Sequence, residues 1–156
     1  MDDIETLRHI LKENHTIAVV GLSANWHRPS YFAAKYLQDH GYRIIPVNPA
    51  YKEVLKEKCY PSLLDISEKV DVVDIFRKPE DVPEIVEDAI RIGAKIVWMQ
   101  LGIVNEEAAK RARHSGLEVV MNRCMKIEHA RLFGGLNFVG VHRGLISSKR
   151  PKWLPY

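Results

Sequence analysis

The fold is decided by residues 16–40, which read TIAVVGLSANWHRPSYFAAKYLQDH. The stretch begins with a short apolar run at 17–20, typical of a strand covered on both faces of a parallel sheet. Gly21 ends that run. Pro29 then suits the first position of a helix, and the residues after it predict a helix over 30–40. Together these features predict a strand–loop–helix unit, from which α/β domains are built.

The same alternation of apolar runs and helical stretches continues along the chain. Further strand-like runs lie at 44–47, 70–76, 96–99 and 117–121. The alternation predicts a Rossmann-like α/β fold: a doubly wound, five-stranded parallel sheet of strand order 3-2-1-4-5 with helices on both faces. Pro46 falls inside the second run, and we expect it near the carboxyl end of that strand, where pairing stops.

Three helices are predicted outside the opening stretch. An N-terminal helix presents Ile4, Leu7 and Leu11 on one face. A second helix follows Pro79, and a third begins after Asn105, because asparagine is a favourable N-cap residue.

The chain of 156 residues has the length of one domain, and its 46% of apolar residues can fill one core. We assign residues 1–132 to this domain. The pattern then changes: four of the nine glycines fall between positions 134 and 144, and residues 143–156 carry four basic residues and no acid. Residues 133–156 are therefore predicted to form an irregular basic extension. It either packs its aromatic side chains on the same domain or contacts another subunit or protein.

Composition and charge exclude several classes of protein. The sequence has no apolar run of about eighteen residues, and its acidic start lacks a signal core, so we expect neither a membrane span nor secretion. The two cysteines, Cys59 and Cys124, are too few for a disulfide framework or a structural zinc site, which favours the cytoplasm. The net charge is +3 but about −1 without residues 143–156, so a nucleic-acid partner is not expected.

The loop after the first strand is the first candidate for ligand binding, because ligands of this fold bind beyond the carboxyl ends of the strands. Gly21 matches the first glycine of the dinucleotide fingerprint G-x-G-x-x-G, but Ser23 and Trp26 replace the second and third. The loop still leads into a helix N-terminus, which favours anions. We therefore expect a phosphate ligand held in a longer loop with help from Ser23 and Arg28, and His27 is a further candidate donor.

The loop after the second strand narrows the choice of ligand. NAD enzymes usually carry an acidic residue there for the ribose hydroxyls, whereas Asn48 and Pro49 offer no carboxylate. Lys52, Arg77 and Lys78 lie in this loop and the next one. Added cations and a missing acid suit a ribose that bears an extra phosphate, as in NADP and in coenzyme A.

Six linked segments then carry a more specific resemblance. They are VVGLS at 19–23, RPS at 28–30, PVNP at 46–49, VDIFRKP at 73–79, WMQLG at 98–102 and NRCM at 122–125. In this order they resemble the small stand-alone CoA-binding domain proteins, which are similar to the N-terminal, Rossmann-like CoA-binding domain of the succinyl-CoA synthetase α subunit. The resemblance covers about residues 14–132.

The resemblance implies that the ligand is coenzyme A, and it assigns parts of that molecule to successive strand ends. The implied contacts are Gly21, Ser23, Arg28, Pro29 and Ser30 for the pyrophosphate, Asn48, Pro49 and Lys52 for the adenosine and its 3′-phosphate, Phe76, Arg77 and Lys78 for the border of the nucleotide, and Gln100, Leu101, Gly102 and Asn122 for the pantetheine route. Cys124 joins this set, because a pantetheine thiol that follows the last two strand ends would approach it.

No complete catalytic constellation is evident. The seven histidines lack a Ser-His-Asp order or metal-ligand spacing, and no P-loop is present, so we expect no catalytic residues and no metal site. The synthetases that the chain resembles use a phosphohistidine domain and a nucleotide-binding subunit, for which 156 residues leave no room. We therefore predict a non-catalytic carrier, sensor or regulator that binds CoA or acyl-CoA. Two alternatives stay open: an NADP-dependent oxidoreductase and a detached subunit of an acyl-CoA ligase.

Overall fold

The computed structural model of the protein describes residues 3–133. The predicted C-terminal extension, residues 133–156, lies outside the described residues except for Phe133, which is the last residue of a helix.

Five parallel strands form one central sheet. They are β1 (Thr16–Val20), β2 (Arg43–Val47), β3 (Val72–Ile75), β4 (Ile96–Met99) and β5 (Glu118–Val120). Their order across the sheet is β2-β1-β3-β4-β5. A short antiparallel ribbon, Glu53–Val54 with Glu57–Lys58, lies between β2 and β3 in the chain. The predicted Rossmann-like α/β class with five parallel strands is confirmed.

The predicted order, 3-2-1-4-5, differs from the observed one in the position of the third strand. The prediction put that strand at the edge beside the second, whereas β3 pairs with β1 on one side and β4 on the other. All four residues of β3 are buried, as expected for a strand with neighbours on both sides and helices on both faces. Apolar runs identify strands, but they carry no signal for which strand lies beside which.

The position of Pro46 agrees with the observed order. Pro46 is the fourth of the five residues of β2, near the carboxyl end as predicted, and lies opposite Val19 of β1. Because β2 is an edge strand, the missing N–H of Pro46 falls on the side away from β1, where a proline costs no ladder hydrogen bond. The Pro46 carbonyl on that side accepts from the backbone N–H of Tyr60 at 3.0 Å.

Within residues 3–133, five α-helices cover the sheet. They are α1 (Ile4–Glu13), α2 (Pro29–Asp39), α3 (Val82–Arg91), α4 (Glu106–His114) and α5 (Met125–Phe133), with short 3₁₀ turns at Leu63–Asp65 and Pro79–Asp81. Helices α1, α2 and α5 pack on one face of the sheet, and α3 and α4 pack on the other. None of these helices is long and apolar enough to cross a membrane.

The predicted helix starts are confirmed at two residues and shifted at a third. Pro29 is the first residue of α2. Asn105 caps α4, and its side-chain oxygen accepts from the backbone N–H of Ala108 at 3.0 Å. The helix expected after Pro79 begins as a 3₁₀ turn and becomes α-helical only at Val82.

The core is divided by the sheet into two apolar clusters. Residues of β3 alternate between them: Val73 and Ile75 belong to the cluster beneath α3 and α4, whereas Val72 belongs to the cluster beneath α1, α2 and α5. This alternation puts Asp74, a wholly buried acid, on the second face. The carboxyl ends of β1, β3 and β4 lie side by side, so the loops that follow them meet at one edge.

Candidate functional site

Gly21 brings the loops after β1 and β3 into direct contact. Its φ is +89°, and a Cβ atom built on it would overlap the backbone oxygen of Phe76, so only glycine fits there. Its N–H donates to the carbonyl of Val47 at 2.8 Å. Because β1 and β3 are the neighbours at which the strand order reverses, this contact lies at the switch point where such sheets bind ligands.

The loop from β1 to α2 is ordered by its own serines. The backbone N–H of Ser23 donates to the hydroxyl of buried Ser30 at 3.0 Å, and the Ser23 hydroxyl accepts from the N–H of Asn25 at 3.0 Å. Arg28 stands at the N-cap of α2 without a side-chain capping bond. No side chain caps the start of this eleven-residue helix. Pro29 has no N–H and the N–H of Tyr31 donates to the carbonyl of Arg28 at 3.1 Å, so within residues 3–133 the N–H of Ser30 is the first-turn amide left available to an anion.

The loop after β2 is tied back to the first loop through Asn48. Its side-chain amide donates to the carbonyl of Leu22 at 3.1 Å, and its side-chain oxygen accepts from the N–H of Ala50 at 2.9 Å. These bonds give Asn48 a structural role in holding the two loops together. Lys52 is exposed further along this loop.

A cleft of about 740 Å³ opens where the loops after β3 and β4 face the start of α2. This volume lies in the range typical of small-molecule sites. The cleft is lined by Pro29, Phe76, Arg77, Lys78, Glu80, Asp81, Gln100, Leu101 and Ile103. Six of these residues were named as candidates from the sequence: Pro29, Phe76, Arg77, Lys78, Gln100 and Leu101.

Three lining residues were missed. Ile103 follows directly after the predicted segment at β4, and Glu80 and Asp81 lie at the start of the helix predicted after Pro79. Their position directly after Lys78 and Pro79, at a strand end, was the signal that they border the site.

The charges around the cleft are mixed. Arg77 donates to Asp81 at 3.1 Å, and both side chains are more than a third exposed, so this ion pair is weak and open to competition. Within residues 3–133, Lys78 forms no ion pair. A ligand phosphate would therefore meet one unpaired cation and one that an acid already holds.

A buried polar pair lies next to the cleft. The Gln100 side chain, which is 3% exposed, donates from Nε2 to Oδ1 of Asp74, which is wholly buried. Burial raises the pKa of Asp74 to about 7, because desolvation disfavours the carboxylate, while the bond from Gln100 acts weakly in the opposite direction. The sequence signal for this pair was an acid inside an otherwise apolar run, and Asp74 was not named as a site residue.

The remaining candidates lie at the ends of β4 and β5. Gly102 donates its N–H to the side-chain oxygen of Asn122 at 2.7 Å, and Asn122 itself has a φ of +57°. Cys124 is 2% exposed at the start of α5. These three residues do not line the cleft, and neither does Lys52. The other candidates lie beside the cleft, in the neighbouring loops or at the start of α2: Gly21, Ser23, Arg28, Ser30, Asn48 and Pro49.

The profile of the CoA-binding domain family matches residues 15–130. The chain belongs to the CoA-binding domain family. The resemblance drawn from the six sequence segments is thereby confirmed.

Two small relatives match nearly the whole domain. The uncharacterized protein YneT of Bacillus subtilis is 41% identical over 124 residues, which cover 80% of this chain and 92% of YneT. A hypothetical protein from Pyrococcus horikoshii, of known structure, is 50% identical and superposes with a TM-score of 0.83 over 85% of this chain and 94% of that chain.

A longer relative carries a related region within a larger chain. The ADP-forming acetate–CoA ligase II of Archaeoglobus fulgidus is 31% identical over 137 residues, which cover 85% of this chain. The chain spans about a fifth of the length of that ligase, since the match covers 20% of it.

Proposed function

We propose that the protein binds coenzyme A, free or acylated, in the cleft at the carboxyl ends of β1, β3 and β4, and acts as a non-catalytic carrier, sensor or regulator. The observation that carries the proposal is the cleft itself: in a CoA-binding family member, it gathers six residues that sequence segments had assigned to CoA.

The pyrophosphate fits the start of α2. The helix has no side-chain cap there, so the N–H of Ser30 and the positive end of the helix dipole can meet an anion. Gly21 allows the loop backbone to pass close to Phe76, and Ser23 and Ser30 hold the loop in shape through their mutual hydrogen bond. The Arg28 guanidinium adds a charged donor at the same helix start.

The 3′-phosphate fits the cationic side of the site. Lys78 is exposed at the cleft and can pair with a phosphate. Arg77 can give up its exposed ion pair with Asp81 and bind the phosphate instead. Lys52 supplies a third cation from the loop after β2, where Asn48 and Pro49 border the adenosine. The pantetheine arm then runs past Gln100 and Leu101, which line the cleft. Gly102, Asn122 and the 2% exposed Cys124 lie beyond this lining, in the direction of the end of the arm.

The relation to acetate–CoA ligases favours one second candidate, a detached subunit of an acyl-CoA ligase. The nine residues that line the cleft include no histidine, serine or cysteine that could carry a phosphoryl or acyl group. Under this second proposal, ligase chemistry needs a partner chain. The purified protein alone would form no acyl-CoA from ATP and a short carboxylic acid.

Calorimetric titration with CoA, dephospho-CoA and NADP tests the proposal. CoA should bind about ten- to a hundredfold more tightly than dephospho-CoA, which lacks the 3′-phosphate, because a charge-assisted phosphate contact is lost. NADP should bind more weakly than CoA. Preference for NADP would favour the oxidoreductase alternative, and no binding of CoA would refute the proposal.

A pair of lysine variants locates the phosphate contact. Lys78→Ala should remove most of the difference between CoA and dephospho-CoA, whereas Lys12→Ala, an exposed lysine near the end of α1, should leave it unchanged. Equal behaviour of the two variants would mean that Lys78 does not face the 3′-phosphate.

A further inference from the structure

The pair of Asp74 and Gln100 is poorly explained by folding alone. Asp74 lies in the central strand β3, opposite Val19 on one side and Trp98 on the other. Its Oδ1 accepts from Gln100, whereas its Oδ2 is buried and has no hydrogen-bond partner in the part of the chain that the structure describes. A buried carboxylate with one unpaired oxygen destabilises the folded protein, and an apolar residue of similar size would give a more stable core at this position.

The neighbours of Asp74 do not provide an alternative partner. The indole N–H of Trp98 is engaged elsewhere, because it donates to the carbonyl of Arg123 at 2.8 Å. The pKa of Asp74 is set by burial and by Gln100 alone, so no charged side chain on the strands and helices around it contributes to the shift. Asp74 therefore acts on its surroundings chiefly through Gln100.

Gln100 connects this buried acid to the cleft. Its side chain lines the cleft beside Pro29 and Phe76, although only 3% of the residue is exposed. An ionised carboxylate only accepts hydrogen bonds, so it selects the NH₂ end of the Gln100 amide and turns the carbonyl oxygen away from Asp74. Within residues 3–133, that oxygen takes part in no hydrogen bond.

We propose that Asp74 is a positioning residue: it holds the Gln100 amide so that its carbonyl oxygen faces the cleft and accepts from an N–H donor of the ligand. This inference rests on the proposed function, because the ligand group that fits is an amide N–H of the pantetheine arm of CoA. Asp74 itself touches no ligand. It determines which end of the Gln100 amide donates and which end accepts, and Gln100 is the residue that contacts the ligand.

The test uses two substitutions and two ligands at pH 8.5, where Asp74, with a pKa of about 7, is ionised. Asp74→Leu removes the anchor for Gln100, and Asp74→Asn keeps a side-chain oxygen that can accept from Nε2. The ligands are CoA and adenosine 3′,5′-bisphosphate, which keeps the nucleotide phosphates but lacks the pantetheine arm.

Asp74→Leu should weaken CoA about three- to tenfold, the range of one lost neutral hydrogen bond, and leave the bisphosphate unchanged. Its melting temperature should stay equal or rise, because an unpaired buried acid is removed. Asp74→Asn should restore most of the CoA affinity. A merely structural role predicts a different result, in which stability and the affinity for both ligands fall together.

A second variant keeps the test decisive if Asp74→Leu does not fold. Gln100→Leu should produce the same arm-specific loss, and the double variant should bind CoA no more weakly than Gln100→Leu alone, since the two residues act as one unit. Unchanged CoA affinity in these variants, or equal weakening of both ligands, overturns the proposal. If the wild-type protein binds neither ligand, the proposed function itself fails, which is a distinct outcome.

Discussion

The two ends of helix α2 differ in how the chain satisfies its own polar groups. At the C-terminal end, a cavity of about 330 Å³ lies among three histidines and is lined by Leu11, Lys12, His15, His40, Gly41, Tyr42, His129 and Phe133. Polar groups there are paired within the protein: the Tyr42 hydroxyl donates to the carbonyl of Leu11, and Tyr36 and His129 are hydrogen-bonded at 3.0 Å. At the N-terminal end, among residues 3–133, no side chain caps the helix and Oδ2 of Asp74 has no hydrogen-bond partner.

This difference distinguishes a structural cluster from the proposed binding site. Aromatic rings and histidines pack closely at the C-terminal end, where the ring centroids of His40 and Tyr36 lie 4.0 Å apart. Such contacts stabilise the packing of α1, α2 and α5. At the other end, the start of α2 has no side-chain cap, which fits the proposed site because a ligand anion can supply the missing partner there.

The largest expected effect concerns the pH dependence of stability at Asp74. Its pKa is raised from 3.8 to about 7 in the folded protein, so the folded state binds more protons than the unfolded state between these values. The contribution of Asp74 to the free energy of unfolding is therefore fully present below pH 4 and is lost as the pH rises to 7. At 1.36 kcal/mol per pKa unit, the loss is roughly 4 kcal/mol.

Urea unfolding of the wild type and of Asp74→Asn between pH 4 and 8 measures this effect. The variant should gain stability relative to the wild type as the pH rises, because asparagine does not titrate and the other groups cancel in the difference. If the difference in free energy of unfolding between the wild type and Asp74→Asn does not vary with pH, burial does not raise the pKa of Asp74.

The next effect compares two glycines of similar backbone conformation. Gly21 and Gly41 have φ values of +89° and +95°, but a Cβ atom on Gly21 would overlap the oxygen of Phe76, whereas one on Gly41 would meet nothing within 4 Å. Gly41→Ala should cost about 1–2 kcal/mol from backbone strain alone. Gly21→Ala should cost about 3 kcal/mol or more, because the overlap is added to that strain.

Thermal or urea unfolding of the two variants provides the measurement. Equal losses of stability would mean that the loops after β1 and β3 do not meet as closely as the structure indicates. The close contact between Gly21 and Phe76 would then no longer distinguish the N-terminal end of α2 from its C-terminal end.

The sequence predicted the elements of this fold better than their arrangement. Pro29 and Asn105 marked helix starts correctly because N-terminal preferences are local. The position of β3 depends on pairing between distant segments, which local patterns do not encode. The hydrogen bond between Asp74 and Gln100 was missed for the same reason, since the two residues lie 26 positions apart in the chain.

The site was predicted partly from residues at strand ends and partly from the resemblance to CoA-binding domains, and six of the named residues line one cleft. Asn48 shows the limit of this reasoning. The sequence assigned it to the border of the adenosine, but it gave no sign of its side-chain hydrogen bonds to the backbone of Leu22 and Ala50, which only the folded loops reveal.

A smaller effect is expected from Arg28 at the ligand end. Arg28→Ala should weaken CoA about five- to tenfold without lowering the melting temperature, because an exposed arginine at the helix start contributes to anion binding rather than to packing. Calorimetry measures the affinity, and Arg8→Ala, an exposed arginine of α1, is the matched control. An unchanged dissociation constant in both variants would assign Arg28 to the surface alone.

The smallest effect lies at the histidine end. Burial, followed by the proximity of His40, lowers the pKa of His129 below its usual 6.5. The unfolded state therefore binds more protons around and below pH 6.5, and stability falls as the pH falls through this window. His129→Gln should reduce this acid sensitivity in unfolding measured at pH 7.5 and 5.5, and an unchanged slope would show that His129 is not desolvated.

Hydrogen exchange in the presence and absence of CoA tests most directly whether the two ends of α2 differ in function. We expect CoA to slow amide exchange at residues 21–31, 76–81 and 100–103, and to leave residues 36–43 unchanged. Protection at residues 36–43 instead, or none in either region at a saturating concentration of CoA, would contradict a CoA site at the carboxyl ends of the strands.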